Sequence, residues 1–246
     1  MEAVPDRNES TSLMEPVCLP EGNSARGHLS DLAMDLVQRS AGFRRSLPTS
    51  IVDSLATLVR SMNCYYSNLI EGHSTHPVDI ERALNLDYSA EPKKRELQLE
   101  AKAHIVVQQW IDAGGMKGRA VAVDTLREIH QRFYTELPEN LKWVEDSVTH
   151  ERLLVEPGAF RRRDVQVGQH VPVSPGAIPR FLARYDEVFG MLGQFETILA
   201  AASAHHRLAW IHPFLDGNGR VLRLMSHAML LQTLDTGSVW SISRGL

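Results

Sequence analysis

Cysteine is scarce in this sequence, which contains only Cys18 and Cys64. The two lie far apart, and no second pair offers the spacing of a metal site. A disulfide framework is therefore not expected, and a reducing compartment suits the chain best.

Long apolar runs are also missing, since no stretch reaches the length that crossing a bilayer requires. The N-terminal residues are acidic and polar throughout, without the basic start and apolar run of a signal peptide. We therefore expect a cytoplasmic protein with no membrane partner.

Charge of either sign shows no strong excess, because the formal net charge is −4 at pH 7. Such a balance gives no bulk attraction to nucleic acid or to an anionic membrane, so direct nucleic-acid binding is not expected. What the chain does have is 246 residues, of which 43% are hydrophobic. That is enough for one domain with a real core, or for a core with a small appendage.

Composition divides the chain into three parts. Residues 1–27 are rich in Pro, Glu, Ser, Asn and Gly, which predicts a flexible tail. Residues 28–90 form an N-terminal helical region, and residues 91–246 form the main core. The last residues, 241–246, resemble the opening of another helix, which predicts that the C-terminal end of the core is incomplete.

Apolar residues at helical spacing predict a mainly α fold. Thr49 or Ser50 is the expected N-cap of the second helix, and Gly72 is its expected stop. The predicted helices cover residues 29–38, 51–71, 91–113, 123–135, 176–200, 201–211 and 221–234.

Strand character is confined to residues 160–173. Valines at 165, 167, 171 and 173 alternate with polar neighbours on either side of a turn at 168–170. The sequence therefore predicts a helical core that carries one short β-hairpin.

The most informative segment runs from His212 through Pro-Phe-Leu-Asp-Gly-Asn-Gly to Arg220. Two glycines flank an asparagine directly before a predicted helix. Glycine lets the backbone turn tightly and point its N–H groups into one hollow, and the helix N-terminus adds partial positive charge. This pattern predicts an anion cradle, for which phosphate is the usual occupant.

Charged residues around the cradle indicate its chemistry. Arg220 and Arg223 can share one face of the first helical turn, and guanidinium groups suit phosphate oxygens. Asp216 is a single acid in this positive setting, as expected of a residue that holds Mg²⁺ beside a polyphosphate. His212 is the residue that can accept a proton near neutral pH. Together these residues predict phosphoryl or nucleotidyl transfer to a hydroxyl.

The same segment resembles the signature of the Fic family, H-x-F-x-[DE]-G-N-G-R-x-x-R, and matches it at every defined position. The resemblance extends over roughly residues 50–240. It implies a Fic-type helical core and a protein adenylyltransferase, which moves AMP from ATP to a Ser, Thr or Tyr hydroxyl of a protein target.

The resemblance also implies a role for each residue of the motif. His212 would be the catalytic base, and Asp216 would hold Mg²⁺, with Mn²⁺ as a substitute, between the α- and β-phosphates. Phe214 would anchor the loop in the core. The ATP phosphates would lie against five residues: Gly217, Asn218, Gly219, Arg220 and Arg223.

A second match lies upstream, where the segment from Ser67 to Gly72 resembles the inhibitory motif of the family, [ST]-x-x-x-E-[GN]. Ser67 and Glu71 are four residues apart and share a helix face. The resemblance implies that Glu71 pairs with Arg223, withholds it from the γ-phosphate and inhibits transfer within the same molecule.

A third match is the segment Gly158-Ala-Phe160-Arg161, which resembles the element that opens the target-positioning flap of the family. The hairpin around Val167 would then be the flap, whose edge pairs with an extended target segment. The structural alternative is a surface hairpin with solvated arginines at 161–163.

Several alternatives stay open at this point. The transferred group could be phosphate, UMP or phosphocholine instead of AMP, although Gly217 and Asn218 favour AMP. A nucleotide-binding regulator without turnover is a different class, disfavoured by the complete set of His212, Asp216 and Arg220. AMP removal, self-modification and a homo-oligomer are further open points.

Overall fold

The computed structural model describes residues 4–116, 118–146, 149–234, 238–241 and 243–244, and over these ranges the chain is mainly helical. Two short antiparallel strands, β1 (Trp143–Glu145) and β2 (Arg152–Leu154), place Val144 opposite Leu153. The predicted fold class is confirmed. The α-helices are α1 (Arg26–Ser46), α2 (Thr49–Ile70), α3 (Pro77–Leu84), α4 (Pro92–Asp112), α5 (Val123–Glu136), α6 (Ile178–Phe189), α7 (Gln194–Ile211) and α8 (Asn218–Thr233).

The main core forms where α4, α5, α6 and α7 pack around α8. Helix α6 shows why: Phe181, Leu182, Tyr185 and Phe189 recur at helical spacing and are all buried. Helix α8 is buried along most of its length, as its Leu- and Met-rich sequence predicts. A smaller cluster joins α2 and α3 to the outer face of α4.

Helix ends differ from the predictions at specific residues. The break predicted at 200 lies instead between Gly190 and Gly193, because two closely spaced glycines interrupt the helical run there. Helix α3 was not predicted, although Pro77 occupies a favourable position at its start. Helix α2 is capped by Pro48 without a side-chain bond, rather than by Thr49 or Ser50. Gly72 follows it with φ of 79°, as expected of a helix stop.

The N-terminal segment differs from the flexible tail that its composition predicts. Residues 11–14 form a 3-10 helix, and the Met14 side chain is fully buried in the main core. Val17 is buried beside it. The two apolar side chains anchor an otherwise polar segment, which explains why average composition did not reveal its packing.

The hairpin predicted over 160–173 is wrong in its pairing, since the paired strands β1 and β2 lie upstream. Within 160–173 a single antiparallel bridge joins Val167 to His170. Side chains occupy the carbonyl groups that a longer ladder would use: Arg161 donates to the Val173 oxygen, and Arg7 donates to the Pro172 oxygen. The segment is therefore a loop closed by one bridge.

Two further sequence-based expectations concern a helix that opens at the C-terminus and helices that could cross a membrane. Residues 242, 245 and 246, on which the predicted opening of a further helix partly rests, lie outside the described residues. In the part of the chain that the structure describes, every helix is too short or too polar to cross a bilayer.

A histidine without hydrogen-bond partners lies in the interior of the helical core. His104 of α4 is 1% exposed, and neither ring nitrogen has a partner among the described residues. Burial, with the nearby charges of Arg223 and Arg220, lowers the pKa of His104 to about 3. The interior therefore holds a neutral imidazole, and protonating it would lower the stability of the folded chain.

This burial predicts acid sensitivity. As the pH falls from 6.5 towards 3, the unfolded chain binds a proton at His104 that the folded chain refuses, so stability present above pH 6.5 is lost in that window. His104→Leu should flatten this loss and raise the urea midpoint at pH 5 more than at pH 7. The measurement is urea unfolding at both values.

The matched control is His28→Leu, an exposed histidine on α1. It should leave the difference between the two pH values as it is in the parent chain. An equal change in both variants, or a larger loss of stability in His104→Leu at pH 5, would contradict the argument.

Candidate active site

The predicted cradle is the loop that joins α7 to α8, and both of its ends have left-handed backbone. His212 caps the C-terminus of α7 with φ of 50° and donates its N–H to the Leu208 oxygen at 3.0 Å. Gly217 precedes α8 with φ of 75°. A left-handed conformation at a residue other than glycine is strained, and such strain is common at functional sites.

The Asn218 side chain holds this loop closed. Its Oδ1 accepts the Phe214 N–H at 2.9 Å, and its Nδ2 donates to the Phe214 carbonyl at 2.8 Å. The buried amide therefore closes the loop, and the role of Asn218 in holding phosphate stays a prediction. The backbone N–H groups at the start of α8 have no acceptor within the helix and form the cradle with Gly219.

Aromatic rings form the floor of the loop. Phe214 is fully buried, as expected, and stacks on His130 of α5 with ring centroids 4.1 Å apart and planes 8° apart. Tyr134, one turn further along α5, donates its hydroxyl to Asp216 Oδ2 at 2.5 Å. A Cβ on Gly217 would lie 2.8 Å from the Tyr134 ring, so only glycine fits there.

His130 connects two segments that the sequence places far apart. Its Nδ1 accepts the Gly158 N–H at 2.8 Å, which leaves the proton of the neutral ring on Nε2. That nitrogen contacts the Asp216 carbonyl at 3.2 Å and can donate to it. Burial lowers the pKa of His130 to about 4, so the neutral form prevails at neutral pH.

His212 is half-buried at the entrance of the loop. Burial, together with the charge of Arg161, lowers the pKa of His212 to about 4. The imidazole is therefore neutral at pH 7 and free of a proton on one nitrogen, which is the state that a general base requires.

Arg161 stabilises the backbone beneath this histidine. It is 3% exposed, and its guanidinium donates to the carbonyl oxygens of His212, at 2.8 Å, and of Val173. The backbone N–H of Arg161 donates to the Pro213 oxygen at 3.0 Å. The alternative of solvated arginines at 161–163 therefore does not hold for Arg161, which joins the motif loop to the end of the predicted flap.

The other predicted flap residues are split between interior and surface. Gly158 has φ of 76°, and Arg127 donates to its carbonyl at 2.9 Å. Phe160 packs against Phe214 with ring centroids 5.6 Å apart. Val167 is exposed at the tip of the loop. The opening element is thus structural, and the surface available to another molecule is the loop tip.

Glu71, the predicted inhibitory residue, reaches the start of α8. Its Oε1 accepts from Arg223 Nη2 at 2.5 Å, and the Arg223 Nε donates to Ser67 Oγ at 2.9 Å. A Cβ on Gly219 would clash with the same Glu71 oxygen. The carboxylate therefore lies directly over the N-terminal turn of α8, where an anion is expected to bind.

A second carboxylate, which sequence analysis missed, engages the other arginine. Glu100 of α4 accepts from Arg220 Nη2 at 3.1 Å and contacts His73 Nδ1 at 3.1 Å through the same oxygen. Arg220 also lies over the Phe133 ring at 4.9 Å. The hydrogen bond with Glu100 raises the pKa of His73, which favours a charged pair.

The side chains of the site decide whether a metal ion can bind there. The described residues hold no cluster of three or more His, Cys, Asp or Glu that could bind an ion alone. Asp216 supplies an oxygen donor that Tyr134 orients, and Mg²⁺ prefers few carboxylates together with phosphate oxygens. The residues therefore fit a Mg²⁺ ion that arrives with a nucleotide, with Asp216 as its protein ligand.

The structure brings the predicted motif residues and the predicted inhibitory residues to one place. It also adds Glu100, His130 and Tyr134, which sequence analysis did not assign to the site. His130 and Tyr134 stand four residues apart on one face of α5, a spacing that could have signalled a shared surface. Nothing in the local sequence marks Glu100.

Comparison with known proteins identifies relatives of this arrangement. Residues 120–230 match the model of the Fic/DOC family. The chain is 25% identical over 223 residues to the protein adenylyltransferase Fic of Drosophila erecta, covering 86% of this chain and 42% of that protein. The protein of the same name in Drosophila virilis is 24% identical over 233 residues, which cover 89% of this chain and 45% of that protein. This chain thus spans less than half the length of these relatives.

Solved structures share the fold. Fic-1 from C. elegans superimposes with a TM-score of 0.63 at 19% identity, covering 87% of this chain and 64% of that one. A Fic domain containing signaling protein from Bacteroides thetaiotaomicron gives 0.61 at 20% identity, covering 81% and 72%. At these identities the likeness shows the architecture.

The contact between Glu71 and Gly219 is testable without any activity. Gly219→Ala should destabilise the chain by about 1–3 kcal/mol, because the new methyl group displaces the carboxylate and overpacks the site. In a Glu71→Gly background the same change should cost much less. Urea unfolding of the four chains gives the coupling free energy as a double-mutant cycle.

The comparison variant is Gly193→Ala before α7, where nothing lies within 4 Å of the added Cβ. Its cost should be the same with and without Glu71. Equal costs of Gly219→Ala in both backgrounds would show that Glu71 does not lie over Gly219 in solution.

Proposed function

We propose that this chain, whose residues 120–230 match the model of the Fic/DOC family, transfers AMP from ATP to a hydroxyl of a protein target. Relatives that bear the name protein adenylyltransferase support the proposal. The observation that carries it is His212, neutral at pH 7 and placed on the loop that leads directly into the N-terminus of α8.

The proposed reaction is a displacement at the α-phosphorus. The oxygen of the target hydroxyl forms a bond to phosphorus, and the bond from phosphorus to the bridging oxygen of the β-phosphate breaks. His212 accepts the hydroxyl proton, and pyrophosphate leaves with the electron pair. The N–H groups at the start of α8 and Arg220 would stabilise the phosphate charge.

Mg²⁺ is the proposed cofactor, with Mn²⁺ as a substitute, and Asp216 is its proposed protein ligand. When bound, the ion would neutralise charge on the phosphate oxygens. The hydrogen bond from Tyr134 fixes the direction of the Asp216 carboxylate, so that this residue needs little reorganisation to hold an ion.

Autoinhibition by Glu71 is part of the proposal. The carboxylate occupies Arg223 and covers Gly219, so a γ-phosphate seeking the same arginine would have to displace it. Because Ser67 lies in the last turn of α2 and Glu71 follows that helix directly, a small outward shift of this helix end would release Arg223. The resting chain would therefore bind ATP in a pose that does not favour transfer.

The loop around Val167 is the proposed docking site for the target. Val167 and Val171 are exposed, although both are apolar, and the single bridge to His170 leaves backbone groups of the loop open to another strand. Backbone pairing selects an extended segment and not a particular sequence.

The first test compares three chains by intact-mass spectrometry after incubation with ATP and Mg²⁺. Glu71→Gly should accumulate an AMP adduct, because Arg223 is then free to hold the γ-phosphate. The wild type should accumulate little, and Glu71→Gly combined with His212→Ala should form none, because no base remains. A protein substrate mixture supplies hydroxyls in addition to those of the chain itself.

The control for this comparison is Glu136→Gly, which removes an exposed glutamate at the end of another helix. It should behave as the wild type. A phosphate-sized adduct would replace AMP transfer with a kinase-like reaction. No adduct in any chain, with ATP binding retained in calorimetry, would point to a nucleotide-binding regulator and sink the transferase proposal.

The metal role generates a separate prediction. In the Glu71→Gly background, Tyr134→Phe should raise the Mg²⁺ concentration for half-maximal adduct formation by about tenfold, because Asp216 loses the group that orients it. Titration of Mg²⁺ at saturating ATP measures the effect.

Tyr185→Phe is the matched control, since this buried tyrosine donates its hydroxyl to the Ala204 oxygen, away from Asp216. It should leave the Mg²⁺ requirement unchanged. An unaltered requirement in Tyr134→Phe would remove Tyr134 from the proposed metal site.

A further inference from the structure

An N-terminal segment spans the two ends of the loop that includes Val167. We call residues 5–9 the N-terminal strap and residues 164–174 the target loop. Arg7 donates through Nη1 to Asp164 Oδ1 at 2.7 Å and through Nη2 to the Pro172 oxygen at 3.0 Å. One guanidinium therefore bridges the start and the end of the target loop.

The end of the target loop is held a second time, at Ser174. Its N–H donates to Glu9 Oε1 at 2.7 Å, and its Oγ donates to Glu9 Oε2 at 2.6 Å. The same Oγ accepts the Arg7 N–H at 3.0 Å. Ser174 is fully buried, and both its N–H and its hydroxyl depend on strap residues for their partners.

Close backbone contact continues past the loop. The Gly176 N–H donates to the Pro5 oxygen at 2.7 Å, and a Cβ on Gly176 would lie 2.7 Å from the Asp6 Cβ. The strap thus packs against the chain that leads into α6, with no space for a larger residue between them.

The strap is in turn fixed to the core. Arg180 of α6 pairs with Asp6 at 2.6 Å and donates to the Glu9 carbonyl at 2.9 Å. This pairing lowers the pKa of Asp6 to about 2, so the carboxylate is charged at neutral pH. Further along, Met14 inserts into the main core. The strap is therefore a fixed support and not an appendage that rests on the loop.

Restraints within the target loop are few by comparison. Its own backbone contributes the two hydrogen bonds between Val167 and His170. The His170 ring contacts the Trp210 oxygen at 2.8 Å, and Arg161 donates to Val173. None of these contacts joins Asp164 at the start of the loop to its end, which is what Arg7 does.

We propose that the N-terminal strap sets the conformation of the target loop, and that Arg7 is a positioning residue for the protein target. This inference rests on the proposed function for its catalytic consequence, because the loop must receive a target. A loop ordered before binding loses less conformational entropy when an extended segment pairs with it. The strap would therefore favour target binding without contact to the nucleotide.

Hydrogen exchange followed by NMR tests the structural part directly. The reporters are the amides of Val167 and His170, which close the loop. Arg7→Ala removes charge-assisted hydrogen bonds and should raise exchange at both amides about tenfold. Arg7→Lys, which can reach one acceptor but not bridge two, should give an intermediate increase.

The control is Arg39→Ala, which breaks an exposed ion pair with Asp35 on α1. It should leave exchange in the target loop unchanged. Amides of α7 and α8 should keep their protection in every variant, which separates a loosened loop from a loosened fold. Unchanged exchange at Val167 and His170 in Arg7→Ala would overturn the inference.

The catalytic part is tested in the Glu71→Gly background. Arg7→Ala should lower the rate of AMP transfer to protein hydroxyls several-fold and leave the Kd for ATP, from calorimetry, unchanged. Faster loop exchange with an unaltered transfer rate would overturn the positioning role. If the parent forms no adduct at all, the proposed function fails. The hydrogen-exchange rates of the loop amides then test on their own whether the strap orders the loop.

Discussion

The amide of Asn218 makes two reciprocal hydrogen bonds with the backbone of Phe214, and the active-site loop depends on them. Between α7 and α8 the chain reverses through left-handed residues at His212 and Gly217. Strain of this kind persists only where the surroundings over-determine the conformation. Here the hydrogen bonds of Asn218 fix the loop from inside the turn, and the stacking of Phe214 on His130 fixes it against α5. The positions of His212, Asp216 and the N-terminus of α8 then all follow from one closed turn.

Electrostatics explains why carboxylates surround this turn. Arg220 and Arg223 are both buried, and the start of α8 adds partial positive charge. Buried cations without counter-ions are costly, so the resting chain supplies Glu100 and Glu71 from two other helices. On the proposed function, ATP phosphates would bring equivalent charge to the same groups. On the same proposal, Glu71 is the counter-ion of Arg223 that a γ-phosphate would replace.

Sequence predicts the parts of this site that are local, and misses those that depend on distant pairing. The segment from His212 to Arg223 is continuous in sequence, so its loop before a helix and the shared position of His212, Asp216 and the two arginines could be predicted. The bonds between the Asn218 amide and the Phe214 backbone could not be predicted, because the sequence does not show how the loop turns back on itself. Glu100 resembles any glutamate on an amphipathic helix, and its role follows only from the packing of α4 against α8. The composition of residues 1–27 predicted a flexible tail, and the strap lies within it. Local composition cannot show that the acids and the arginine of the strap have partners about 160 residues further along the chain.

One buried cation links His212 to the target loop. Arg161 donates both to the carbonyl of His212 and to the carbonyl of Val173, at the end of the loop. Burial lowers its pKa to about 10, which still leaves the guanidinium charged at neutral pH. A planar fork can satisfy several carbonyl oxygens in fixed directions, whereas an ammonium group cannot. The Arg161 side chain therefore fixes the end of the loop directly against the backbone of His212. Arg7 holds the loop from its far side, so the two arginines together leave only the loop tip free to adapt to a target.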